Sequence, residues 1–411
     1  MANVRKLTRI LDKLVQVGPG YLDQTLRSYI TENKEYRLYY DKDNQSDPTA
    51  NTYAVFSYFS SGVYKTEEER ETDILIVAGG GGGSVGNIAG GSGGGEVIVI
   101  EKAILPAGAY VISVGAGGAG GAPTTDNSVG GQSVSPDAIG GVGNDSYFKK
   151  NTDNATVTVK ATGGGAGGFR KTDVNADEGG SGGGAGGADS TNFGIGQDYN
   201  KGASTISDIN LANIISNDYY GGTVTKYGND GGFSDAYTLT ALSDPDDYYN
   251  AGGGGGAGAA GETGGDSKAG NGGNGSTFDW VNEVFSKVYK FNGDIYWGSG
   301  GGGAAGESKE PGNGGLGGGG GGASYRQLAA GSPETDIFWN GKGGSSGYNP
   351  GYDASYMKGG AGGQNTGSGA GGSTAVDTAV GTHIHKTLAQ GPNGGSGFVL
   401  IRVAMRDLPT P

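Results

Sequence analysis

The sequence predicts a mostly β and irregular fold. A small α+β module at the N-terminus is followed by a base of β-strands that carries packed polyglycine-II helices. Glycine accounts for 93 of the 411 residues, and only three of these glycines precede residue 71. From residue 71 onward, short Val/Ile-rich runs alternate with glycine blocks. The chain also has 23 Tyr, 11 Phe and 3 Trp, an aromatic content that indicates a folded protein rather than a disordered one.

The composition excludes several classes of protein. The chain has 28 Lys/Arg against 42 Asp/Glu, and because residues 1–70 are neutral the whole formal charge of −14 belongs to residues 71–411. An acidic surface repels phosphate backbones, so we expect no nucleic-acid binding. No apolar stretch is long enough to cross a bilayer, so we expect no membrane insertion. The absence of cysteine excludes disulfides and thiolate chemistry.

Residues 1–70 are predicted to form a module for attachment or oligomerisation. Its first helix is predicted from apolar residues at helical spacing that end before Gly18-Pro19-Gly20. These residues are Val4, Leu7, Leu11 and Leu14. The alternative is that this helix packs against the core of its own module. A second helix is predicted over Tyr21–Thr31, and strands over Tyr36–Tyr40 and Tyr53–Tyr64.

Residues 71–411 are predicted to form the glycine-rich domain, in which Val/Ile runs bounded by glycine indicate buried strands. The predicted strands are Ile74–Ala78, Val97–Ile100, Tyr110–Val114, Thr156–Lys160 and Phe398–Val403. The sequence Pro106-Ala107-Gly108 predicts a hairpin turn between the second and third of these strands.

The glycine blocks are predicted to form a bundle of polyglycine-II helices. Six blocks lie near residues 79–95, 115–121, 163–187, 252–275, 300–322 and 359–372. Ordering glycine costs more backbone entropy than ordering any other residue, so ordered blocks need collective compensation. A left-handed helix with three residues per turn offers it, because neighbouring chains without Cβ atoms approach closely and bond laterally. The alternative is that the blocks are flexible linkers between β modules.

Several sequence runs, taken in order, resemble the glycine-rich domain of bacteriophage tail fibre and adhesin proteins. The runs are Ile74–Gly83, Gly93–Val97, Leu105–Tyr110, Val114–Gly121, Gly140–Phe148, Val159–Gly165 and Gly394–Arg402. The resemblance implies a polyglycine-II bundle whose tips carry host-binding loops. It also implies a virion protein, assembled in the host cytoplasm, that contacts a bacterial surface. Attachment to other tail or fibre proteins through residues 1–70 follows from the arrangement of the two parts.

Motifs for catalysis are weak. Gly82–Gly86 and Gly179–Gly183 fit the G-x-S-x-G pattern of a nucleophile elbow, but neither is followed by a predicted helix. The single Gly-Lys pair, Gly341-Lys342, is followed by glycine, so there is no P-loop. We therefore expect no enzyme. A glycan depolymerase is the alternative, since the 42 acidic residues include many possible carboxylate pairs.

Two places suggest metal binding. The two histidines, His383 and His385, would face the same side of a strand, and three copies around a threefold axis would supply six imidazoles to a divalent metal. A monomer would leave both histidines as ordinary polar residues. The acidic segment Ser243–Asp247 suggests Ca²⁺, with a solvated turn as the alternative. Neither a cofactor nor a resident metal is otherwise expected.

Aromatic residues between the glycine blocks are the candidate receptor-binding residues. Tyrosine mixed with Ser, Gly and Asn is typical of binding loops, because rigid rings give contact area at low entropic cost. The candidates are Tyr219, Tyr220, Tyr248, Tyr249, Trp280, Tyr296, Trp297, Trp339, Tyr348 and Tyr352. We expect about half of these aromatic insertions to serve packing instead.

The sequence thus leads to one main hypothesis and one alternative. The main hypothesis is a non-catalytic phage tail fibre or tip adhesin that binds a bacterial surface glycan or outer-membrane protein, as a monomer or as a homotrimer. The alternative is a structural virion protein, a capsid decoration or tail-assembly component, in which the glycine-rich domain is a rigid spacer.

Overall fold

The computed structural model describes thirteen stretches of the chain. They are residues 36–40, 52–67, 69–86, 88–122, 139–150, 158–168, 176–187, 222–234, 250–306, 309–324, 340–355, 357–374 and 390–404. Within them, strands and extended glycine segments predominate and helix is scarce. The elements are β1 (Tyr36–Tyr40), β2 (Thr52–Tyr58), β3 (Gly62–Thr66), β4 (Arg70–Val77), β5 (Val97–Leu105), β6 (Gly108–Ser113), β7 (Ser146–Lys150), β8 (Thr158–Ala161), β9 (Thr223–Tyr227), α1 (Asp279–Tyr289) and β10 (Phe398–Ala404).

The strands form two antiparallel sheets that face each other. The six-stranded sheet has the order β1-β2-β10-β4-β5-β9, and the four-stranded sheet has the order β3-β6-β7-β8. In the first, β10 lies between β2 and β4 and pairs Ile401 with both Phe56 and Ile74. Phe56, Ile74 and Ile401 meet Tyr110 and Phe148 of the second sheet in one buried cluster. The two sheets therefore form a sandwich around this core.

Helix α1 covers the other face of the six-stranded sheet. Its buried residues Trp280, Val281, Val284 and Phe285 contact a second cluster that includes Leu75 of β4. Strands β4 and β10 are thus covered on both faces. This explains why they are continuous apolar runs rather than alternating ones.

An ion pair within the six-stranded sheet also contacts the N-terminal half of α1. Arg402 of β10 donates from Nε and Nη2 to Oδ2 of Asp73 on β4, at 2.8 and 2.7 Å. Its guanidinium also lies 4.6 Å from the ring centre of Tyr53, 4.9 Å from that of Trp280 on α1, and 3.6 Å from the carboxylate of Glu283. The side chains of Arg402 and Asp73 are only 12% and 11% exposed.

All the strands predicted from the sequence within these stretches are confirmed, with two differences in how they connect. The predicted strand Tyr53–Tyr64 is two strands, β2 and β3, which belong to different sheets. The hairpin at Pro106-Ala107-Gly108 is wrong: β5 pairs with β4 and β9, whereas β6 pairs with β3 and β7. The turn carries the chain from one sheet to the other, and it is held by the Tyr110 hydroxyl, which donates to the Pro106 carbonyl at 2.7 Å.

Strands on both sides of residue 70 share the sheets. β2 pairs with β10, and β3 pairs with β6. The residues from 36 to 66 that the structure describes therefore contribute to the same sandwich as the glycine-rich part. Residues 1–35, with both predicted helices, lie outside the described residues, so an attachment module there stays a prediction.

Seven strands continue into glycine segments at one end of the sandwich. Register places the C-terminal ends of β4 and β9 and the N-terminal ends of β5 and β10 side by side, because Val77 is opposite both Val97 and Phe398 and Val97 is opposite Tyr227. In the four-stranded sheet, Ser113, Ser146 and Ala161 lie at the corresponding end of β6, β7 and β8. The strands are thus the base from which the glycine bundle extends.

The hydrogen bonds of residues 79–83 show the packing in this bundle. Gly79, Gly80 and Gly81 donate to three different segments, and Gly82 and Gly83 return to the first two. The acceptor carbonyls, in order, are those of Asn144, Gly395, Gly93, Gly141 and Pro392, at 2.8–3.0 Å. The carbonyls of Gly79, Gly80 and Gly81 accept from three further segments, at Gly164, Gly118 and Ala370. A three-residue repeat with lateral bonds to six neighbours is the packing of polyglycine-II helices.

This packing leaves no room for side chains inside the bundle. A Cβ atom at Gly81 would lie 2.2 Å from the Gly165 carbonyl oxygen, and one at Gly80 would lie 2.2 Å from that of Ser368. Positive φ angles occur where segments leave the sandwich, as at Gly298 (70°) and Gly367 (68°). Glycine is required in the interior by close approach, and at these two turns by backbone conformation as well.

We expect Gly81→Ala to destabilise the protein by about 3 kcal/mol or more, because a backbone carbonyl must move to admit the methyl group. The matched control is Gly265→Ala, where the nearest atom to a new Cβ is the Lys268 carbonyl oxygen at 3.9 Å. The control should be neutral or stabilising by up to about 1 kcal/mol, since alanine restricts the unfolded chain. Urea unfolding measures both, and equal midpoints for the two variants would contradict the packing.

We expect Asp73→Asn to destabilise by about 3 kcal/mol, because the substitution takes the nearest carboxylate from a guanidinium that is largely buried. Glu283→Gln, which changes the more distant and more exposed carboxylate, should cost no more than about 1 kcal/mol. Thermal unfolding at neutral pH compares the two variants. Equal losses would show that Asp73 does not hold Arg402 in place.

Candidate binding surface

The end of the bundle opposite the sandwich is defined by Ser84, Ala89, Ala251, Ala304 and Ser373. These residues are joined in a row: Ser373 donates to Ser84, Ala89 to Ser373, Ala304 to Ala89, and Ala251 to Ala304, at 2.9–3.3 Å between backbone N and O. We call this the distal end. At this end the chain passes from several outgoing segments into antiparallel neighbours that run back toward the sandwich.

Four long stretches leave and re-enter the bundle at the distal end, as does the shorter stretch 169–175, whose flanks are joined by the bond from Asp177 N to the Ala166 carbonyl. The four long stretches are residues 123–138, 235–249, 325–339 and 375–389, and they lie outside the described residues. Their flanking segments are direct neighbours, as shown by the bonds from Gly141 to Ala119, Gly232 to Gly253, Gly341 to Gly322 and Gly395 to Ser368. The four stretches contain only four glycines, and three of them are rich in apolar and charged residues. The change in composition coincides with the edge of the bundle.

Most of the residues predicted to bind receptor, metal or other virion proteins lie outside the described residues, and those roles stay predictions. They are Tyr219, Tyr220, Tyr248, Tyr249, Trp339, His383, His385, Val4, Leu7, Leu11 and Leu14. The acidic segment 243–247 is also outside them. The flanks of the distal stretches nevertheless show where the chain around Tyr248, Trp339 and His383 enters and leaves the bundle.

The assignment of Trp280 and Trp297 to receptor binding is corrected by the structure, because both side chains are buried. Trp280 is 7% exposed on α1, and Trp297 is fully buried with its ring stacked on Phe398 at 5.1 Å between centres. Both belong to the core beneath the six-stranded sheet. The spacing of Val281, Val284 and Val288 carries the helical signal that would have placed Trp280 on a packed helix rather than in a loop.

Tyr348 and Tyr296 are partly buried, and Tyr352 is exposed. The ring of Tyr348 stacks on Phe59 at 5.5 Å and meets Phe285 edge-on at 5.4 Å, so one of its faces serves packing. Tyr296, which precedes Trp297 in the chain, is half-buried. Tyr352 is 60% exposed on an outer glycine segment. Of the candidates that the structure describes, Tyr352 is the one whose ring is mostly free to meet a ligand.

On the sides of the bundle, side chains satisfy the backbone N–H groups that face outward, a feature that the sequence analysis did not predict. Side chains of outer segments accept the outward-facing backbone N–H groups of the next segment. Asn271 Oδ1 accepts from Asn313 N, Asn313 Oδ1 from Lys342 N, and Asp353 Oδ1 from Gly343 N, at 2.8–2.9 Å. Non-glycine residues at three-residue intervals, such as Asn271 and Asn274, are the sequence signal for an outward-facing row.

The side chains at the two G-x-S-x-G motifs bond to the bundle backbone. The Ser84 hydroxyl is buried, donates to the Gly167 carbonyl and accepts from Gly140 N. Ser181 is buried as well and accepts from Asn229 N at 3.4 Å. Neither serine has the strand-to-helix turn of a nucleophile elbow. Their position indicates a structural role in joining segments.

The described stretches contain no group of three or more His, Asp or Glu side chains placed to hold a metal ion. No helix in them is both long and apolar enough to cross a membrane.

The architecture is that of a β-sandwich that carries a polyglycine-II bundle. A family model for a glycine-rich domain matches residues 59–279, which is more than half of the chain, so the protein belongs to this glycine-rich domain family. The match begins at the end of β2 and ends at the first residue of α1. No curated protein matches the sequence.

We expect Trp297→Ala to destabilise the protein by about 3–5 kcal/mol, because it removes a fully buried ring from the core under α1. Tyr352→Ala should change stability by less than about 0.5 kcal/mol, because its ring is mostly in solvent. Chemical unfolding of both variants tests the assignment of one ring to packing and the other to the surface. A large loss from Tyr352→Ala would remove it from the candidates.

Proposed function

We propose that this protein is a non-catalytic receptor-binding protein of a bacteriophage particle, a tail fibre or tip adhesin. In this proposal the glycine bundle is a rigid support, and the stretches at its distal end contact a bacterial surface glycan or outer-membrane protein. The observation that carries the proposal is the joint return of four glycine-poor stretches to one end of a bundle that otherwise excludes side chains. The sequence resemblance to phage adhesin domains supports the choice of partner.

The chemistry of these stretches suits recognition rather than catalysis. Residues 235–249 contain Tyr237, Tyr248 and Tyr249 with four aspartates, and residues 325–339 end in Phe338-Trp339. Rigid aromatic rings beside polar side chains give contact area and hydrogen bonds at low entropic cost. Several copies on one particle would add avidity to weak single contacts. Under the proposal, residues 1–35 join the chain to other virion proteins.

The proposal predicts that shortening the aromatic stretches removes cell binding without unfolding the protein. The chain already contains a suitable short connection, in which Asp266-Ser267 joins two neighbouring segments and Gly265 and Lys268 exchange both backbone hydrogen bonds, at 2.8 and 3.2 Å. Replacing residues 235–249 or 325–339 by Asp-Ser should reduce binding of the labelled full chain to a susceptible bacterial strain by about tenfold or more. The melting temperature should stay unchanged.

The matched control replaces residues 123–138 by the same Asp-Ser turn. This stretch also returns to the distal end but contains no aromatic residue, so its loss should leave cell binding intact. If all three shortened proteins bind cells as the parent does, the distal stretches are not the receptor-binding surface. A parent chain that binds purified virion components and no cells would instead support the structural virion protein.

A further inference from the structure

The side of the bundle presents an exposed aromatic ring at a fixed position. Among the described residues, Tyr352 is the most exposed of the large apolar side chains, at 60%. Its backbone is bonded on both sides: Tyr352 N donates to the Ala361 carbonyl at 3.0 Å, and its own carbonyl accepts from Gly321 N at 3.1 Å. The ring therefore stands on a rigid backbone and not on a loose loop. The other aromatic residues whose burial the structure describes are buried or partly buried.

Asp353, the residue that follows Tyr352 in the chain, is held in a fixed position by polar groups of the neighbouring segment. Asp353 Oδ1 accepts from Gly343 N at 2.9 Å, and Asp353 Oδ2 accepts from Lys342 Nζ at 3.0 Å. Asn313 Oδ1 holds the backbone N–H of Lys342 at 2.8 Å. The Gly343 N–H, together with Lys342, keeps the pKa of the Asp353 carboxyl below its ordinary value, so the group is ionised at neutral pH. Both charged side chains are more than half exposed and retain bonding capacity toward solvent.

The surroundings of the ring favour a flat, polar ligand. Gly351 precedes Tyr352 and Gly343 lies against its backbone, so neither position adds an apolar side chain to this surface. A pyranose ring has one face of C–H groups, which pack on the electron-rich face of an aromatic ring, and hydroxyls around its edge. Those hydroxyls are suited to donate to Asp353 and accept from Lys342. The charges of Lys342 and Asp353 cancel, so neutral sugars are not disfavoured.

We propose that Tyr352, Lys342 and Asp353 form a subsite for one sugar ring of a bacterial surface polysaccharide, on the side of the bundle. This inference rests on the proposed function and adds a ligand class to it. The subsite would bind a polysaccharide chain that runs along the bundle while the distal stretches contact the cell surface. Tyr352 supplies the stacking face, and the Lys342–Asp353 pair supplies hydrogen bonds to ring hydroxyls.

The test measures binding of the labelled full chain to an array of purified bacterial O-polysaccharides and capsular polysaccharides. The parent should bind at least one of them, and Tyr352→Ala should weaken that binding by about tenfold or more. Tyr352→Phe keeps the ring and should bind within about twofold of the parent. Asp353→Asn should weaken binding because it loses the charged acceptor. Ser345→Ala, a change at an exposed position on the segment of Lys342, is the matched control and should have no effect.

Cell binding separates this inference from the proposed function. If the parent binds cells, and neither Tyr352→Ala nor periodate oxidation of the cell-surface glycans weakens that binding, the sugar subsite is wrong and the adhesin stands, with a protein receptor. The subsite is also wrong if Tyr352→Ala binds a polysaccharide as tightly as the parent does. A parent that binds neither cells nor any polysaccharide overturns both proposals.

Discussion

The close approach of glycine backbones is the constraint on which the rest of this structure depends. Each interior segment exchanges N–H···O bonds with neighbours on all sides. A methyl group at a position such as Gly81 would clash with a backbone carbonyl oxygen. Ordering so many glycines is costly in entropy, and a single segment has no internal hydrogen bonds to offset that cost. The bundle is therefore stable only as a whole, because each added segment completes the bonding of those already present.

The sandwich supplies what the bundle lacks, namely a conventional hydrophobic core and a starting register. Strands β4 and β10 are buried on both faces and bonded at Val77 and Phe398, immediately before their glycine segments. Strand pairing fixes the relative heights of the first glycines, so lateral bonds such as Gly79 to Asn144 connect the two sheets just beyond their ends. The buried Arg402–Asp73 pair and α1 hold the outer layer of this base in place.

The same packing determines where side chains larger than hydrogen can be placed. Side chains are excluded from the interior, so they occur on the outer segments or where the chain turns beyond the bundle. On the outer segments, Asn271, Asn313 and Asp353 close the lateral hydrogen bonds, and Tyr352 is left projecting. At the distal end, antiparallel neighbours can be joined by two residues, as at Asp266-Ser267, or by a long insertion.

The sequence alone determined the mostly β class, the position of most strands and the glycine bundle, because Val/Ile runs and glycine blocks are local signals of buried strands and of close backbone approach. It did not predict β7, β9 or α1. It did not determine that β5 and β6 belong to different sheets, since a Pro-Ala-Gly turn is compatible with either connection. It also placed Trp280 and Trp297 among binding residues, although the helical spacing of Val281, Val284 and Val288 favours packing for Trp280. Trp297 is followed by glycine, and such a ring has the same sequence signature in a loop and in a core. Only the tertiary structure decided which of the remaining rings are buried, because burial depends on which segments become neighbours, and residues as distant in sequence as Trp297 and Phe398 are in contact only in the folded chain.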